Sequence, residues 1–322
     1  MTTLVTGGAG FIGRLLVKAL VEHGHDVVAI DRVECSEAPC LNGAEYRSLD
    51  ITDRVAITDL IDAVRPERVV HTAAVVGVAA SVGSGLLPTI QVNIAGSVNL
   101  FEAINSIGSV RRIIDLSSEE YYGTFAADPL PEDAVAAPVS PYGISKFAVE
   151  RLGGYYAETA GLPYVAARLC WVYGPDFPRT RLPEPWLHDI AEGRNSILEK
   201  GGEQRIDFTH IDDVVRGILL LLEAETLEHR AYNIGTGAAY SIRELAAVLH
   251  ALRPSWNAVV GGGRLDLSPG VEAVTKGAYD LSRIQHELGY EPRVSLREGL
   301  ERNLALIEER IRSNQQERNK ND

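Results

Sequence analysis

Residues 3–13 read Thr-Leu-Val-Thr-Gly-Gly-Ala-Gly-Phe-Ile-Gly, and residues 27–31 read Val-Val-Ala-Ile-Asp. The first stretch begins with a short apolar segment, typical of a buried β-strand, and continues into a glycine-rich turn. Apolar residues at helical spacing follow, and the second stretch predicts another buried strand that ends at Asp31. A strand, a glycine turn, a helix and a second strand form the context that a dinucleotide-binding fingerprint requires. The alternative is a glycine turn in some other α/β fold.

Each part of the glycine-rich turn has a predicted role in holding a dinucleotide. Gly7 permits the tight turn, Gly10 lets a pyrophosphate approach the backbone, and Gly13 allows the helix to pack closely on the strand. The helix begins with Phe11 and Ile12, whose N–H groups lie at its positive end. The turn and the first helical residues therefore predict the pyrophosphate site.

The end of the second strand predicts which dinucleotide binds. Asp31 lies where a carboxylate can accept from both ribose hydroxyls of an adenosine, and it would repel a 2′-phosphate. Arg32 could instead receive such a phosphate or stack on the adenine. Because Asp31 directly follows the strand, its position is better fixed than that of Arg32. We therefore expect Asp31 to determine the choice of cofactor, and the expected cofactor is NAD.

The bulk composition is ordinary for a globular protein and argues against several classes of function. The 322 residues are 45% hydrophobic and 23% charged, and the net charge of −13 argues against non-specific binding to nucleic acid or to an anionic membrane. No apolar run approaches the ~20 residues of a membrane span, and no signal peptide is expected before the first strand. Cys35, Cys40 and Cys170 are not spaced for a metal, so the expected compartment is the reducing cytoplasm.

Strand-like and helical segments alternate as far as residue 169. This alternation predicts an α/β fold with a doubly wound parallel sheet, Rossmann-like, and helices on both faces. Ligands of such a sheet gather at the carboxyl ends of its strands. The predicted strands cover residues 3–6, 27–30, 46–49, 68–72, 112–116 and 164–169.

The chain is predicted to form two structural units and a tail. Residues 1–174 form the NAD-binding unit, which also receives segments near 206–235. Residues 175–205 and 236–305 form a smaller C-terminal lobe for the substrate. The polar residues 313–322 are expected to fray.

Tyr142 and Lys146 stand four residues apart, on one face of a helix predicted to begin at Pro141. An ammonium beside a phenol favours the phenolate, which makes the phenol a usable base near neutral pH. Ser118, after the fifth predicted strand, could bond the reacting oxygen. These residues predict a proton relay that interconverts a secondary alcohol and a ketone, with nicotinamide taking the hydride. The alternative is a solvated surface pair.

These features together resemble the extended short-chain dehydrogenase/reductase family, in its NAD-dependent epimerase/dehydratase branch. The resemblance covers about residues 3–305 and rests on several separate motifs in the right order. They are Thr6-Gly7-Gly8-Ala9-Gly10-Phe11-Ile12-Gly13, Asp50-Ile51, His71-Thr72-Ala73-Ala74, Asn93, Ser117-Ser118, Tyr142 with Lys146, Tyr173-Gly174-Pro175, Asp207-Phe208 and Tyr232-Asn233-Ile234-Gly235.

The resemblance implies a role for each matched position. It implies that Ser118, Tyr142 and Lys146 are catalytic, and that Lys146 also bonds the nicotinamide ribose. Many relatives are homodimers joined through two helices, here near 95–107 and 142–160. The resemblance further implies contacts to adenine from Asp50 and Ile51, a cofactor-lining loop at Ala73 and Ala74, and support of the relay by Asn93.

Two expected phosphate anchors differ from the family pattern. Relatives that act on nucleotide sugars often have Asn two residues before Tyr-Gly-Pro, where this chain has Trp171. They also often have Arg directly before Asp-Phe, where this chain has Ile206. Arg179, Arg181 or Arg205 could still bind an anion, and the alternative for each is a solvated loop charge. A smaller polyol, sugar acid or lactone thus becomes a rival to a nucleotide sugar.

Glu119 and Glu120 occupy the places where sugar dehydratases of this family carry acidic residues for the elimination of water. A paired site can separate the pKa values of two carboxyls into an acid and a base. The interpretation we favour is simpler, with one glutamate bonding on the cofactor side and the other solvated.

The sequence therefore predicts an NAD-dependent oxidoreductase acting on a secondary alcohol of a sugar-like substrate, with nucleotide-sugar epimerase or dehydratase as the leading subclass. A second hypothesis is a net dehydrogenase of a small sugar acid, lactone or polyol. A third is a dinucleotide-binding protein without turnover, against which the set Ser118, Tyr142 and Lys146 argues.

Overall fold

A computed structural model describes residues 1–34, 43–177, 181–268 and 271–321. Seven strands form one sheet, and the remaining strands pair two by two. The strands are β1 (Thr2–Thr6), β2 (Asp26–Asp31), β3 (Ala44–Ser48), β4 (Arg68–His71), β5 (Arg112–Ser118), β6 (Tyr164–Leu169), β7 (Trp171–Tyr173), β8 (Ser196–Leu198), β9 (Arg205–Ile206), β10 (Phe208–His210), β11 (Ala231–Ile234), β12 (Tyr240–Ser241), β13 (Ala258–Val260), β14 (Asp266–Ser268) and β15 (Val271–Glu272).

The large sheet is parallel throughout, in the order β11-β6-β5-β4-β1-β2-β3. The predicted doubly wound sheet is confirmed. The order reverses between β1 and β4, and the loops that follow these two strands leave in opposite directions. An open α/β sheet binds its ligands in the crevice that such a reversal opens.

Helices cover both faces of the sheet. They are α1 (Phe11–Glu22), α2 (Arg54–Val64), α3 (Val78–Ser81), α4 (Leu86–Thr89), α5 (Ser97–Ile107), α6 (Pro141–Ala160), α7 (Glu184–Ala191), α8 (Ile211–Glu223), α9 (Ile242–Leu252), α10 (Ser282–Leu288) and α11 (Leu296–Asn321). The apolar side chains of α1, α8 and α10 pack on one face, and those of α2, α5 and α6 pack on the other.

Adjacent residues of a central strand show why its sequence is continuously apolar. Leu4 and Val5 are both fully buried, but they belong to clusters on opposite faces of the sheet. Side chains alternate between the faces of a strand, so a strand covered on both sides needs apolar residues at every position.

A third apolar cluster lies outside the sheet and joins α7, α9 and α11, with Trp186 packed on Trp256 at a ring separation of 5.5 Å. It draws residues from 173–190, 206–208, 242–256 and 296–307. This packing supports the division into an NAD-binding unit and a C-terminal lobe, which we keep as a proposal. The predicted polar tail differs from expectation, since α11 continues through it to Asn321.

Two local differences from the sequence prediction bear on the site. Strand β5 was expected to break at Ser117, yet it continues to Ser118. The helix before α5 is wider than expected, because residues Ile90–Gly96 form a π-helix. π-Helical turns are rare and are frequently found at functional sites. Within the described ranges, every helix is too short or too polar to cross a membrane.

Candidate active site

A cavity of about 510 Å³ opens at the carboxyl edge of the sheet, between the loops that follow β1 and β4. It is continuous from the predicted dinucleotide end to the predicted substrate end. Its lining includes Gly7, Gly10, Phe11, Ile12, Gly13, Asp31, Arg32, Asp50, Ile51, Ala73, Ala74, Ser118, Glu119, Glu120, Tyr142, Lys146, Trp171 and Arg181. The structure therefore brings most of the sequence-predicted site residues into one space.

The glycine turn shapes the first end of this cavity. Gly7 has a φ of +69°, and a Cβ there would lie 2.5 Å from Thr72 Oγ1, so the turn requires glycine. A Cβ on Gly13 would lie 2.0 Å from the Gly7 carbonyl oxygen. A Cβ on Gly10 would approach only that same oxygen, at 3.1 Å, and would otherwise fill part of the cavity.

The beginning of α1 is open toward the same space. Gly10 is its N-cap, and no described side chain caps the helix there. The N–H groups of the first helical turn thus remain available to an anion, at the positive end of the helix. The glycine cradle and this helix terminus fit the pyrophosphate of a dinucleotide.

The two acidic residues at the ribose and adenine end are each held by backbone N–H groups. The Asp31 carboxylate accepts from Ala9 N (3.2 Å) and from Val33 N (3.4 Å). Asp50 Oδ1 accepts from the backbone N and the hydroxyl of Thr52, both at 2.8 Å. Since carboxylate oxygens each accept more than one bond, both groups keep acceptor capacity for a ligand.

Helix α6 places Tyr142 and Lys146 at the centre of the cavity wall. Ser140 caps the helix by accepting from Gly143 N at 3.0 Å. The buried Lys146 ammonium donates to the Leu116 carbonyl oxygen of β5 at 2.6 Å. It lies 6.0 Å from the centre of the Tyr142 ring. The strand thus fixes the amine beside the phenol.

Ser118 reaches the cavity because β5 extends to it. It is 9% exposed, and its hydroxyl accepts from Glu120 N at 3.2 Å. The hydroxyl proton remains free to donate to a reacting oxygen.

The Asn93 side chain is connected to the Tyr142 backbone through Ser145, a residue that the sequence motifs did not indicate. Its amide nitrogen donates to the Ser145 hydroxyl (2.9 Å), which donates to the Tyr142 carbonyl oxygen (2.7 Å). The Asn93 side chain also bonds both backbone groups of Val75. Ser145 could have been found in the sequence, because it stands three residues after Tyr142 on the same helix face.

His71, part of a sequence motif, lies behind the relay. It bonds the Thr6 hydroxyl at 2.7 Å and the Ser97 hydroxyl at 2.8 Å, and so ties β4 to β1 and α5. Burial, and secondarily the Lys146 charge, lowers the pKa of His71 to about 3. The imidazole is therefore neutral near pH 7 and adds no positive charge beside Lys146.

Glu119 and Glu120 form a 3₁₀ turn directly after Ser118. Burial raises the pKa of Glu119 to about 7, the Lys276 charge opposes this, and Glu120 adds to it. The Glu120 carboxylate lies 3.3 Å from the Lys276 ammonium, and its side chain is 13% exposed. The interpretation of one solvated glutamate is wrong, because the chain segment that carries Lys276 covers this turn.

At the substrate end, the Arg181 guanidinium lies 5.4 Å from the centre of the Trp171 ring. The Trp171 indole N–H donates to the Leu182 carbonyl oxygen at 2.8 Å. Burial lowers the pKa of Arg181, while Glu120, Tyr142 and Glu119 oppose this shift. Arg181 is thus a desolvated cation at the reacting end of the cavity, and not a solvated loop charge.

Arg205 and Ile206 are not among the described residues that line this end of the cavity. Arg205 is an exposed residue that lies 3.4 Å from Asp128 and is not among the described cavity-lining residues. Ile206 points into the core of the C-terminal lobe and is 2% exposed. Arg179 lies outside the described residues, as do Cys35 and Cys40, while Cys170 is a buried free thiol.

Sequence reasoning missed several contacts that come from distant parts of the chain. Ser81 accepts from the backbone N of Tyr142 at 3.2 Å, and Phe177 packs edge-on against Phe11. Lys276 approaches from the C-terminal third of the chain. No periodicity or local spacing in the sequence marks these residues, because each becomes a neighbour only through the fold.

Comparison with known proteins agrees with this geometry. A model of the NAD dependent epimerase/dehydratase family matches residues 3–235. The UDP-glucose 4-epimerase of Mycolicibacterium smegmatis is 31% identical over 315 residues, with 93% of this chain and 96% of that protein covered.

Two crystal structures share the fold over nearly their whole length. The UDP-glucose 4-epimerase of Thermotoga maritima, with UDP-glucose, has a TM-score of 0.86 and 31% identity, with 97% of this chain and 100% of that chain covered. The UDP-glucuronic acid 4-epimerase of Bacillus cereus, with UDP-glucuronic acid and NAD, has a TM-score of 0.83 and 28% identity, with 96% and 99% covered. The chain belongs to the NAD dependent epimerase/dehydratase family.

Proposed function

We propose that this protein is an NAD-dependent epimerase or dehydratase of nucleotide sugars. One observation carries the proposal: the glycine cradle, the residues Tyr142, Lys146 and Ser118, and the desolvated Arg181 line one continuous cavity. The matched structures bind UDP-sugars, and one of them also binds NAD. When bound, NAD supplies a nicotinamide that accepts a hydride from an alcohol carbon and returns it.

The cofactor is held by residues that end or follow four strands of the sheet, β1 to β4. Gly7, Gly10 and the first turn of α1, with Phe11, Ile12 and Gly13, bind the pyrophosphate. Asp31 and Arg32 bind the adenosine ribose and its surroundings. Asp50, Ile51, Ala73 and Ala74 line the remaining length of the cofactor site.

Tyr142 is the general base that takes the proton from the substrate hydroxyl and later returns it. Lys146 stabilises its phenolate and is itself fixed by the Leu116 carbonyl. Ser118 donates to the reacting oxygen and keeps it near the phenol. Asn93, through Ser145, holds the backbone from which Tyr142 projects.

Arg181 and Trp171 are the substrate-binding pair at the reacting end. The indole covers one face of the guanidinium, and burial increases the energy gained from meeting an anion. We keep Arg179 as a further candidate from the sequence. Arg205 is not part of the proposal, because it is exposed beside Asp128.

A second candidate function is net oxidation of a small sugar acid, lactone or polyol. It is favoured by the two altered phosphate anchors, since the Trp171 N–H is already used by Leu182 and Ile206 is buried. The two functions differ in the fate of the hydride. An epimerase or dehydratase returns it, whereas a dehydrogenase accumulates NADH.

The cell compartment and the assembly complete the proposal. We propose a cytoplasmic protein, on the grounds of its cysteine content and charge. We also propose a homodimer joined through the helices near 95–107 and 142–160. This part of the surface carries exposed apolar side chains from Leu86, Leu87, Ile90, Ile144 and Tyr155.

A substrate screen tests the proposal. The NAD-loaded protein is incubated with UDP-, dTDP- and GDP-sugars, and separately with sugar acids, lactones and polyols. NADH absorbance and product analysis are followed in parallel. Redox-neutral conversion of a nucleotide sugar is the expected result. Stoichiometric NADH from a small substrate, with no conversion of nucleotide sugars, would establish the second function instead.

Titration calorimetry gives an independent answer. UDP, GDP and dTDP are each titrated into the NAD-loaded protein. Binding of at least one nucleoside diphosphate is expected from an epimerase or dehydratase. If none of the three binds, the altered anchors at Trp171 and Ile206 have removed the phosphate site.

A further inference from the structure

A buried lysine from the C-terminal lobe contacts the turn that follows Ser118. The Lys276 ammonium donates to the Glu119 carbonyl oxygen at 2.9 Å and lies 3.3 Å from Glu120 Oε1. It also lies 5.1 Å from the centre of the Phe125 ring, and its side chain is 5% exposed. An ammonium so far removed from water requires fixed partners of opposite charge.

Backbone bonds on both sides hold the lysine in place. Phe125 N donates to the Thr275 carbonyl oxygen at 2.9 Å, and Leu130 N donates to the Ala278 carbonyl oxygen at 2.9 Å. The segment around Lys276 is thereby joined to the loop that leaves the β5 turn. These backbone bonds fix the segment that carries Lys276, so the ammonium is placed by the fold as well as by its own contacts.

The two glutamates are partnered unequally. Glu120 has a partner for each oxygen, with Lys276 at Oε1 and the Ser140 hydroxyl at Oε2, 3.3 Å away. Glu119 Oε2 is buried and has no hydrogen-bond partner among the described residues. Burying a carboxylate without a partner costs much more free energy than burying the neutral acid, so burial favours the protonated form.

We propose that Lys276 is a positioning residue of the active site. Its ammonium fixes the Glu120 carboxylate and the Glu119 carbonyl, and it leaves the Glu119 carboxyl as the proton carrier of the pair. The inference rests on the proposed function only in assuming that a substrate reaches this wall of the cavity. It assigns different roles to two glutamates that are equivalent in the sequence.

Several charged and titratable groups face the Glu119 carboxyl, and they act with opposite signs. The Lys276 and Arg181 charges lower the pKa of Glu119, whereas the Glu120 and Asp207 charges raise it, in addition to the effect of burial. Cys170 and Tyr279 also face it. Removing the Lys276 charge must therefore raise the pKa of Glu119 above about 7, and removing the Glu120 charge must lower it.

Carbon-13 NMR of the glutamate carboxyl carbons tests this in the NAD-loaded protein, without substrate. The Glu119→Gln variant assigns the signal. Lys276→Met should move the Glu119 titration midpoint upward by about one pH unit, and Lys276→Arg should restore it. Glu120→Gln should move it downward.

A matched control and a second variant keep the test decisive. Lys200→Met removes an exposed lysine that pairs with Asp266 and Glu272, and it should leave the Glu119 midpoint unchanged. Lys276→Gln removes the charge but can still donate to the Glu119 carbonyl, so it replaces Lys276→Met if that variant does not fold. An unchanged Glu119 midpoint in the charge-free variant overturns the inference.

The pH dependence of turnover links the inference to catalysis. If Glu119 must carry a proton, the alkaline limb of kcat/KM moves to higher pH in the charge-free Lys276 variant, by the same amount as the NMR midpoint. If the NMR titration midpoint of Glu119 moves but the alkaline limb of the kcat/KM profile does not, Glu119 does not transfer the proton. That result would overturn its role as the proton carrier. Failure of every nucleotide sugar to react would reject the proposed function and leave the NMR result standing.

Discussion

The Lys146 ammonium lies 6.0 Å from the centre of the Tyr142 ring, one helical turn away, and is fixed by the Leu116 carbonyl oxygen. The relay thus joins a helix to the neighbouring strand through one buried amine. This bond fixes the position of the amine beside the phenol. Removal of the phenol hydroxyl should therefore disable catalysis while the surrounding geometry remains.

Tyr142→Phe should lower kcat by ~100- to 10,000-fold, since it keeps the ring volume but removes the titrating hydroxyl. The affinity for NAD should change little. Turnover of the nucleotide sugar and fluorescence titration with NAD measure the two effects. Tyr240→Phe, at a partly exposed tyrosine of β12 that is not among the described cavity-lining residues, is the matched control and should retain full turnover. A Tyr142→Phe protein within a few-fold of the parent would show that another group moves the proton.

Arg181→Met should weaken UDP-glucose binding by about tenfold or more. The side chain is a desolvated cation against Trp171, and such a cation contributes more to binding than an exposed one. Arg205→Met should change the affinity less than about twofold, because that residue is exposed and beside Asp128. Titration calorimetry on the NAD-loaded variants measures both. The reverse order of effects would place the anion site at Arg205.

Asp31→Ala should admit NADP. The parent protein should bind NAD more tightly, because the carboxylate accepts from the ribose hydroxyls and repels a 2′-phosphate. The variant should bind NADP about tenfold more tightly than the parent does, and Asp26→Ala, at the exposed start of the same strand, should not. Dissociation constants for NAD and NADP, measured on the parent protein and on both variants, test this prediction. A parent protein that prefers NADP would assign the 2′-phosphate to Arg32.

The sheet could be predicted because the residues that indicate each of its strands are adjacent in the sequence. Most strands of the large sheet are indicated by a short apolar run, as at Leu4 and Val5, and most of its longer helices by the spacing of their apolar residues. Pro141 is at the first helical position of α6, as predicted, and the structure adds Ser140 as the N-cap before it. The end of β5 was misplaced by two residues, because two serines do not look like a buried strand.

The substrate end could be predicted only in part, because its residues meet across the fold. The sequence supplied Arg181 and Arg205 as equal candidates, and only the structure separates the partly buried Arg181 from the exposed Arg205. Lys276 carries no local signal at all. Its effect on Glu119 depends on two backbone bonds between segments that are distant in the chain.

The Glu184 carboxyl is partly buried in a separate pocket between α7 and α11, which His188 and Asp176 also line. Burial, helped by the Asp176 charge, raises the pKa of Glu184 to about 7, although Arg310 opposes this. Glu184 Oε2 has no hydrogen-bond partner in the described part of the chain. The folded protein therefore holds this proton more tightly than the unfolded chain, where a glutamate titrates near ~4.3.

The proton on Glu184 should thus stabilise the fold fully below pH ~4.3, and the stabilisation should disappear as the pH rises through about 7. Glu184→Gln cannot titrate, so the parent should lose stability relative to it across this window, on the order of 1 kcal/mol because solvent partly screens the site. Urea denaturation at several pH values between 5 and 8 measures the difference. Glu298→Gln, at an exposed glutamate of α11, should leave the slope unchanged. Parallel stability curves for the parent and Glu184→Gln would mean that Glu184 is already ionised in the folded protein.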